Sequence, residues 1–152
     1  MSLLLLAAGR GARFGGPKQF ERYGPGRHSL MEYVISDGLR HAIGKVVCVI
    51  RKGQLAAAEE VLSGAWEHLP VEFIFQSGED GPNGVPIPSA IAHSPGTAHA
   101  VFAARDAIGG PFVVANGDDL YGPAAWDALL DAVGAGCERP TNGGHLPARS
   151  DA

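Results

Sequence analysis

Basic charge is scarce in this chain: 12 Lys and Arg against 16 Asp and Glu give a formal net charge of −4. That excludes a general electrostatic footprint for nucleic acid, so any cationic site must be local. Cysteine is scarcer. Cys48 in an apolar run and Cys137 in a polar stretch are too few for a disulfide framework and suit a reducing cytoplasm. The six histidines and these two cysteines show no metal-ligand spacing, which argues against zinc. No signal peptide or membrane span is expected, because the opening MSLLLLAAG lacks a basic n-region and its apolar run is short. These shortages lead to an expected soluble, cytoplasmic protein.

What the chain does have is an alternation of short apolar runs and helix-compatible segments. Its 152 residues suit one domain with a real core, and its 22 glycines and 11 prolines fall between apolar runs as turns. Strands are predicted at LLLLA (3–7), KVVCVI (45–50), VEFIF (71–75) and PFVVAN (111–116). Helices are predicted over 29–43, 54–66, 97–108 and 123–133. In the first of these, Ser29 and Glu32 form a capping box, Leu30, Tyr33, Val34, Leu39 and Ile43 share a face, and Gly38 is a weak point. Thr97 is expected to cap the third helix, and Pro123 to start the last. Continuous apolar strands alternating with helices imply an open, mainly parallel α/β sheet, Rossmann-like, with helices on both faces.

Such sheets bind ligands at the C-terminal ends of their strands. The stretch LLLLAAGRGARFGGPKQF (3–20) runs from the first strand straight into a loop of glycines and cations. Gly9, Gly11, Gly15 and Gly16 let the backbone approach a ligand and present N–H groups to it. Arg13 and Lys18 add fixed charge, as Arg10 can, and together they suit a polyphosphate. The plainer reading is a glycine-rich surface turn with solvated cations. Two familiar phosphate motifs do not fit. A dinucleotide fingerprint needs glycine where Phe14 stands, and a Walker loop needs Gly-Lys-Ser/Thr where the chain has Pro17-Lys18-Gln19.

LAAGRGARFGGPKQF resembles the signature of the sugar-phosphate nucleotidyltransferases, the MobA-like nucleotide-diphospho-sugar transferase superfamily. SPGTAHAVFAARD (94–106) and VVANGDDLYG (114–122) resemble its nucleoside-binding segment and its metal aspartate, in order. The resemblance covers about 1–133. It implies that a sugar or alcohol phosphate attacks the α-phosphate of a nucleoside triphosphate and releases pyrophosphate. It also implies roles: Ala8, Gly9 and Gly11 present the backbone to the nucleotide, and Arg13 and Lys18 clamp the triphosphate. Gln76, Gly96 and Thr97 would contact base and ribose, and Asp118 would hold Mg²⁺.

Plainer readings stand beside these. Asp118 and Asp119 could be a polar loop after a strand, with Asp119 the second choice as metal ligand. His99 is expected to be a core or partly exposed histidine rather than a base. Lys45, Arg51 and Lys52 read as a solvated rim, and Trp66 and Trp126 as packing residues. The segment 77–95 is a long loop without a clear helical or strand pattern. The stretch 134–152 reads as a flexible polar tail after a domain at 1–133, so the fold looks truncated and the acceptor-binding half missing. The alternative to an enzyme is therefore a non-catalytic nucleotide-binding or interaction module of the same fold. A relative of the molybdopterin-type guanylyl- or cytidylyltransferases, with another acceptor, is a third reading. A sheet lacking strands would leave an edge that a second copy could cover.

Overall fold

Residues 1–11, 15–41, 43–62, 69–78 and 81–134 are described by the computed structural model of the protein. In chain order the elements are β1 (Ser2–Leu6), a short antiparallel pair β2 (Arg22–Tyr23) and β3 (His28–Ser29), and α1 (Leu30–Leu39). Then follow β4 (Lys45–Ile50), α2 (Leu55–Leu62), β5 (Val71–Phe75), α3 (Ser89–Ala92), α4 (Gly96–Ala103), β6 (Phe112–Asn116) and α5 (Pro123–Gly134).

The four apolar strands form one sheet in the order β5-β4-β1-β6, with every pair parallel. β1 and β4 are at its centre because both their faces are apolar. Leu3, Leu4 and Leu5 and all of Val46–Ile50 have no exposed surface, and each such side chain contributes about 1.5–3 kcal/mol by leaving water. The two faces carry different helices. Leu3, Leu5, Val46 and Cys48 pack with Met31 and Ile35 of α1, Ala58 and Val61 of α2, and Trp126 of α5. Leu4, Val47 and Val49 pack with Ala100 of α4 and with Ala104. The expected parallel sheet, covered on both faces, is the observed fold.

The chain steps outward from β1 to β4 and β5, then crosses back to place β6 on the far side of β1. This reversal makes the gap between the C-terminal ends of β1 and β6 a topological switch point, where open α/β sheets form their crevice.

Several local expectations change. α1 does begin with the capping box. The Glu32 amide donates to Ser29 Oγ at 3.2 Å, and the Ser29 amide to Glu32 Oε2 at 2.6 Å. Its buried face, however, is Met31, Val34, Ile35 and Gly38, while Tyr33 is exposed, because β1 packs against a stripe rotated from the one expected. Gly38 is not merely a weak point. A Cβ there would come within 3.2 Å of both Ile43 and the Trp126 ring, so its bareness admits the tryptophan.

Thr97 is not a cap: α4 starts at Gly96, preceded by Pro95, with no side-chain cap. That helix stops at Ala103 instead of continuing to 108. The carbonyl of Ala107 is taken by Lys45 Nζ at 3.0 Å, and Ala107 and Ile108 turn back onto the core. The segment 77–95 contains a 3-10 turn at Pro82–Gly84 and the short helix α3. Trp66, Cys137 and 135–152 lie outside the described residues, as does Arg13. Among the described residues no helix is long and apolar enough to cross a membrane.

Candidate functional site

Over the C-terminal ends of the strands lies a cleft of about 940 Å³. The chain leaving β1 supplies Ala8, Gly9, Arg10 and Gly11, and a 3-10 turn supplies Lys18 and Gln19. β4 ends in Arg51 and β5 in Gln76, while Gly96 and Thr97 come from the start of α4 and Asp118 from just past β6. Ala8, Gly9, Gly11, Lys18, Gln76, Gly96, Thr97 and Asp118 therefore line the same cleft, whereas Gly15 and Gly16, also expected to face the ligand, do not. Arg13 alone falls outside the described residues.

Gly11 has a left-handed φ of +59°, and a Cβ on it would run into the carbonyl of Gly16, whose amide donates to Gly11 O at 3.2 Å. The loop closes on itself at that contact, so only glycine fits. The carbonyls at its entrance are all held by side chains. Gln19, only 3% exposed, donates through Nε2 to Ala7 O at 2.6 Å and Gly9 O at 3.0 Å. Arg51 Nε donates to Ala8 O at 2.7 Å, and Gln54 Nε2 to Gly9 O at 3.1 Å. In a trans peptide a carbonyl and the next N–H point in opposite directions. Holding these three carbonyls therefore turns the amides of Ala8, Gly9 and Arg10 the other way, an arrangement suited to anions.

Charge points to the same occupant. Lys18 Nζ meets Asp118 Oδ2 at 3.1 Å across the switch point, both side chains being more than a third exposed. An ion pair of that exposure contributes about 0–1 kcal/mol, so an incoming ligand exchanges its partners at little cost. Burial, and then the neighbouring charge of Arg10, lowers the pKa of the Arg51 guanidinium. Arg10 and Arg51 both line the cleft, and two cations there favour an anion.

Asp118 and its neighbour separate cleanly. Asp118 lines the cleft, whereas Asp119 Oδ2 accepts from Asn116 Nδ2 at 2.8 Å. Gly117 between strand and carboxylates is tightly placed: its amide donates to Leu6 O at 2.8 Å, and a Cβ would approach Met31, Ala7 and Leu6 within 3.2–3.3 Å. Among the described residues no group of three or more His, Cys, Asp or Glu could hold a metal. A lone cleft carboxylate nevertheless fits a hard cation of the magnesium type, which takes one or two carboxylates and fills its shell with phosphate oxygens and water.

At the wall formed by β5 and α4, Gln76 Nε2 donates to Gly96 O at 2.9 Å and lies 3.3 Å from His99 Nδ1. His99 is partly buried beside Gln76, a partly exposed histidine as expected. The buried thiol of Cys48 is pushed up to about 12 by desolvation, and it faces the core rather than the cleft. The sequence reading missed Gln19 and Arg51. Arg51 is no solvated rim: its guanidinium bridges Ala8 O and, at 3.0 Å through Nη2, His93 O. Its position just past a parallel strand, at the end of the sheet where ligands bind, was the available signal.

Parallel strands meeting a glycine loop and an acidic turn at the switch point define an open α/β domain of the nucleotidyltransferase type. The chain belongs to the MobA-like NTP transferase family, whose model matches residues 3–135. No curated protein matches it. Its fold is similar to that of the inositol-1-phosphate CTP transferase from T. maritima, with a TM-score of 0.63 and 21% identity over 84% of this chain and 47% of that one. Rv0371c from Mycobacterium tuberculosis, also solved with manganese, matches 88% of this chain and 60% of its own at a TM-score of 0.59 and 17% identity. A nucleotidyl transferase from Methanothermobacter matches with a TM-score of 0.53 and 22% identity over 86% of this chain and 56% of that one. The chain thus spans about half the length of these structures.

Proposed function

We propose that the cleft binds a nucleoside triphosphate and that the protein takes part in transfer of its nucleotidyl group to a sugar or alcohol phosphate. An oxygen of the acceptor phosphate forms a bond to the α-phosphorus, the bond from that phosphorus to the bridging oxygen breaks, and pyrophosphate leaves with the electron pair. No side-chain nucleophile is needed. The chain's own contribution is position and charge: amides of Ala8, Gly9 and Gly11 against the phosphates, and Lys18 and Arg13 opposite the charge growing on pyrophosphate. Gln76, Gly96 and Thr97 hold the nucleoside. Asp118 would hold a divalent cation, Mg²⁺ on this reading, which when bound neutralises phosphate charge. The phosphorylated polyol named for the T. maritima neighbour supports an alcohol phosphate as acceptor. Two isolated cysteines and the absence of a membrane-spanning helix among the described residues are compatible with a cytoplasmic setting. The nucleotide-binding domain on this reading is 1–133, which takes in the sheet and α5 but for its last residue.

The observation that carries this reading is the Lys18–Asp118 pair across the switch point, beside a loop whose amides are turned by three held carbonyls. Replacing Lys18 by alanine is expected to weaken triphosphate binding by at least about tenfold, the scale of a lost charge-assisted contact. Its melting temperature should stay within about 2 °C of wild type, because Lys18 is partly exposed and its ion pair contributes little. Isothermal calorimetry and thermal unfolding measure both. Unchanged affinity would defeat the phosphate-clamp assignment. Pyrophosphate release by the purified chain with alcohol phosphates tests turnover separately from binding.

A further inference from the structure

We propose that Arg51 is a positioning residue that couples the two walls of the cleft, so that engaging phosphate at the glycine loop also orders the 93–97 wall. The inference rests on the nucleotide reading above. It starts from reach. Arg51 follows β4 directly, and its guanidinium donates through Nε to Ala8 O and through Nη2 to His93 O, at 2.7 and 3.0 Å. One carbonyl belongs to the glycine loop and the other to the segment that leads into Gly96 and Thr97. Both walls line the cleft.

The arginine is itself fixed. Its amide donates to Gln54 Oε1 at 2.8 Å, and Gln54 Nε2 reaches on to Gly9 O. The 51–54 turn therefore grips two successive loop carbonyls while its first residue grips the opposite wall. A planar fork can serve two carbonyls in different directions at once. A lysine ammonium has the charge but not the fork. The far wall is anchored in turn by Gln76 through Gly96 O. Movement of Ala8 on binding phosphate is thus transmitted to His93 through a single rigid group, and from there to the start of α4.

Amide hydrogen exchange on the full chain tests this, using inorganic tripolyphosphate with Mg²⁺ as a probe that has no nucleoside to touch the far wall. In wild type the probe is expected to slow exchange at 8–11 and, through Arg51, at 93–97, each at least about threefold. In Arg51→Lys and Arg51→Ala, protection at 8–11 should weaken but persist, because Gln19 and Gln54 still hold Ala7 O and Gly9 O, and protection at 93–97 should disappear. Affinity for the tightest-binding nucleoside triphosphate should fall about tenfold in both, the scale of a lost hydrogen bond to a charged donor. Equal protection at 93–97 in wild type and both variants, or none there in wild type, overturns the coupling. Full affinity in Arg51→Lys assigns the residue a role by charge alone and also overturns it. No protection at 8–11 in wild type is a different failure: it removes the phosphate reading, and the coupling falls with it.

Discussion

At the scale of single residues, a polar group in this protein does its work by what it holds. Glu32 is 5% exposed and caps α1, with His28 Nδ1 3.2 Å from its other oxygen and Arg22 Nη1 4.0 Å away. Burial alone would raise its pKa, but the hydrogen bonds from Ser29 and His28 outweigh burial and hold it below the ordinary 4.5. A depressed carboxylate pKa stabilises the fold above the unfolded value, and that stability is lost as pH falls through the folded one. Glu32→Gln should therefore be less stable than wild type by about 1–3 kcal/mol at pH 7, and the difference should shrink as the pH drops below about 4.5. Chemical denaturation across pH measures it, and a gap that stays constant down to pH 3 contradicts the assignment. Residues with a motif around them, Gly9, Gly11, Lys18 and Asp118, were legible in the sequence. Gln19 and Arg51 were not: their contacts are to backbone carbonyls, which leave no side-chain motif, and only the place of Arg51 just past β4 pointed to the cleft.

Elements were legible where burial on both faces dictates them. The strand at 45–50 falls where its β-branched run does, since a strand buried on both faces needs continuous apolar residues, and the half-exposed edge strand at 71–75 falls on its run of β-branched and aromatic residues. Helix ends were less legible because tertiary contacts settle them. α4 stops at Ala103, and beyond it Lys45 takes the Ala107 carbonyl outside any helix, while a left-handed Gly96, φ +87°, opens α4 where Thr97 was expected to cap it. Gly38 separates the two levels most sharply. Helix propensity alone predicts that Gly38→Ala gains about 1 kcal/mol. Packing predicts the reverse, because the new methyl would press on Ile43 and on a Trp126 ring only 3% exposed. Overpacking of this kind costs about 1–3 kcal/mol. The variant is expected to be destabilised in urea unfolding, and a stabilised one would show that α1 and α5 yield to each other.

For the molecule as a whole, strand order gathers the site. β1 and β6 bring Lys18 and Asp118 to the switch point, while β4 and β5 present Arg51 and Gln76 beside them. That arrangement was legible in outline, since parallel strands with apolar interiors leave only their C-terminal ends for chemistry. The acceptor was not legible, because no stretch of the sequence is recognisable as the region that would choose one. The most direct measurement is calorimetric titration of the purified chain with ATP, CTP, GTP and UTP, each with and without Mg²⁺. The account predicts that one of the four binds, and that Mg²⁺ tightens it by letting Asp118 and the phosphates share a cation. Binding of none of them, with or without the metal, would contradict it.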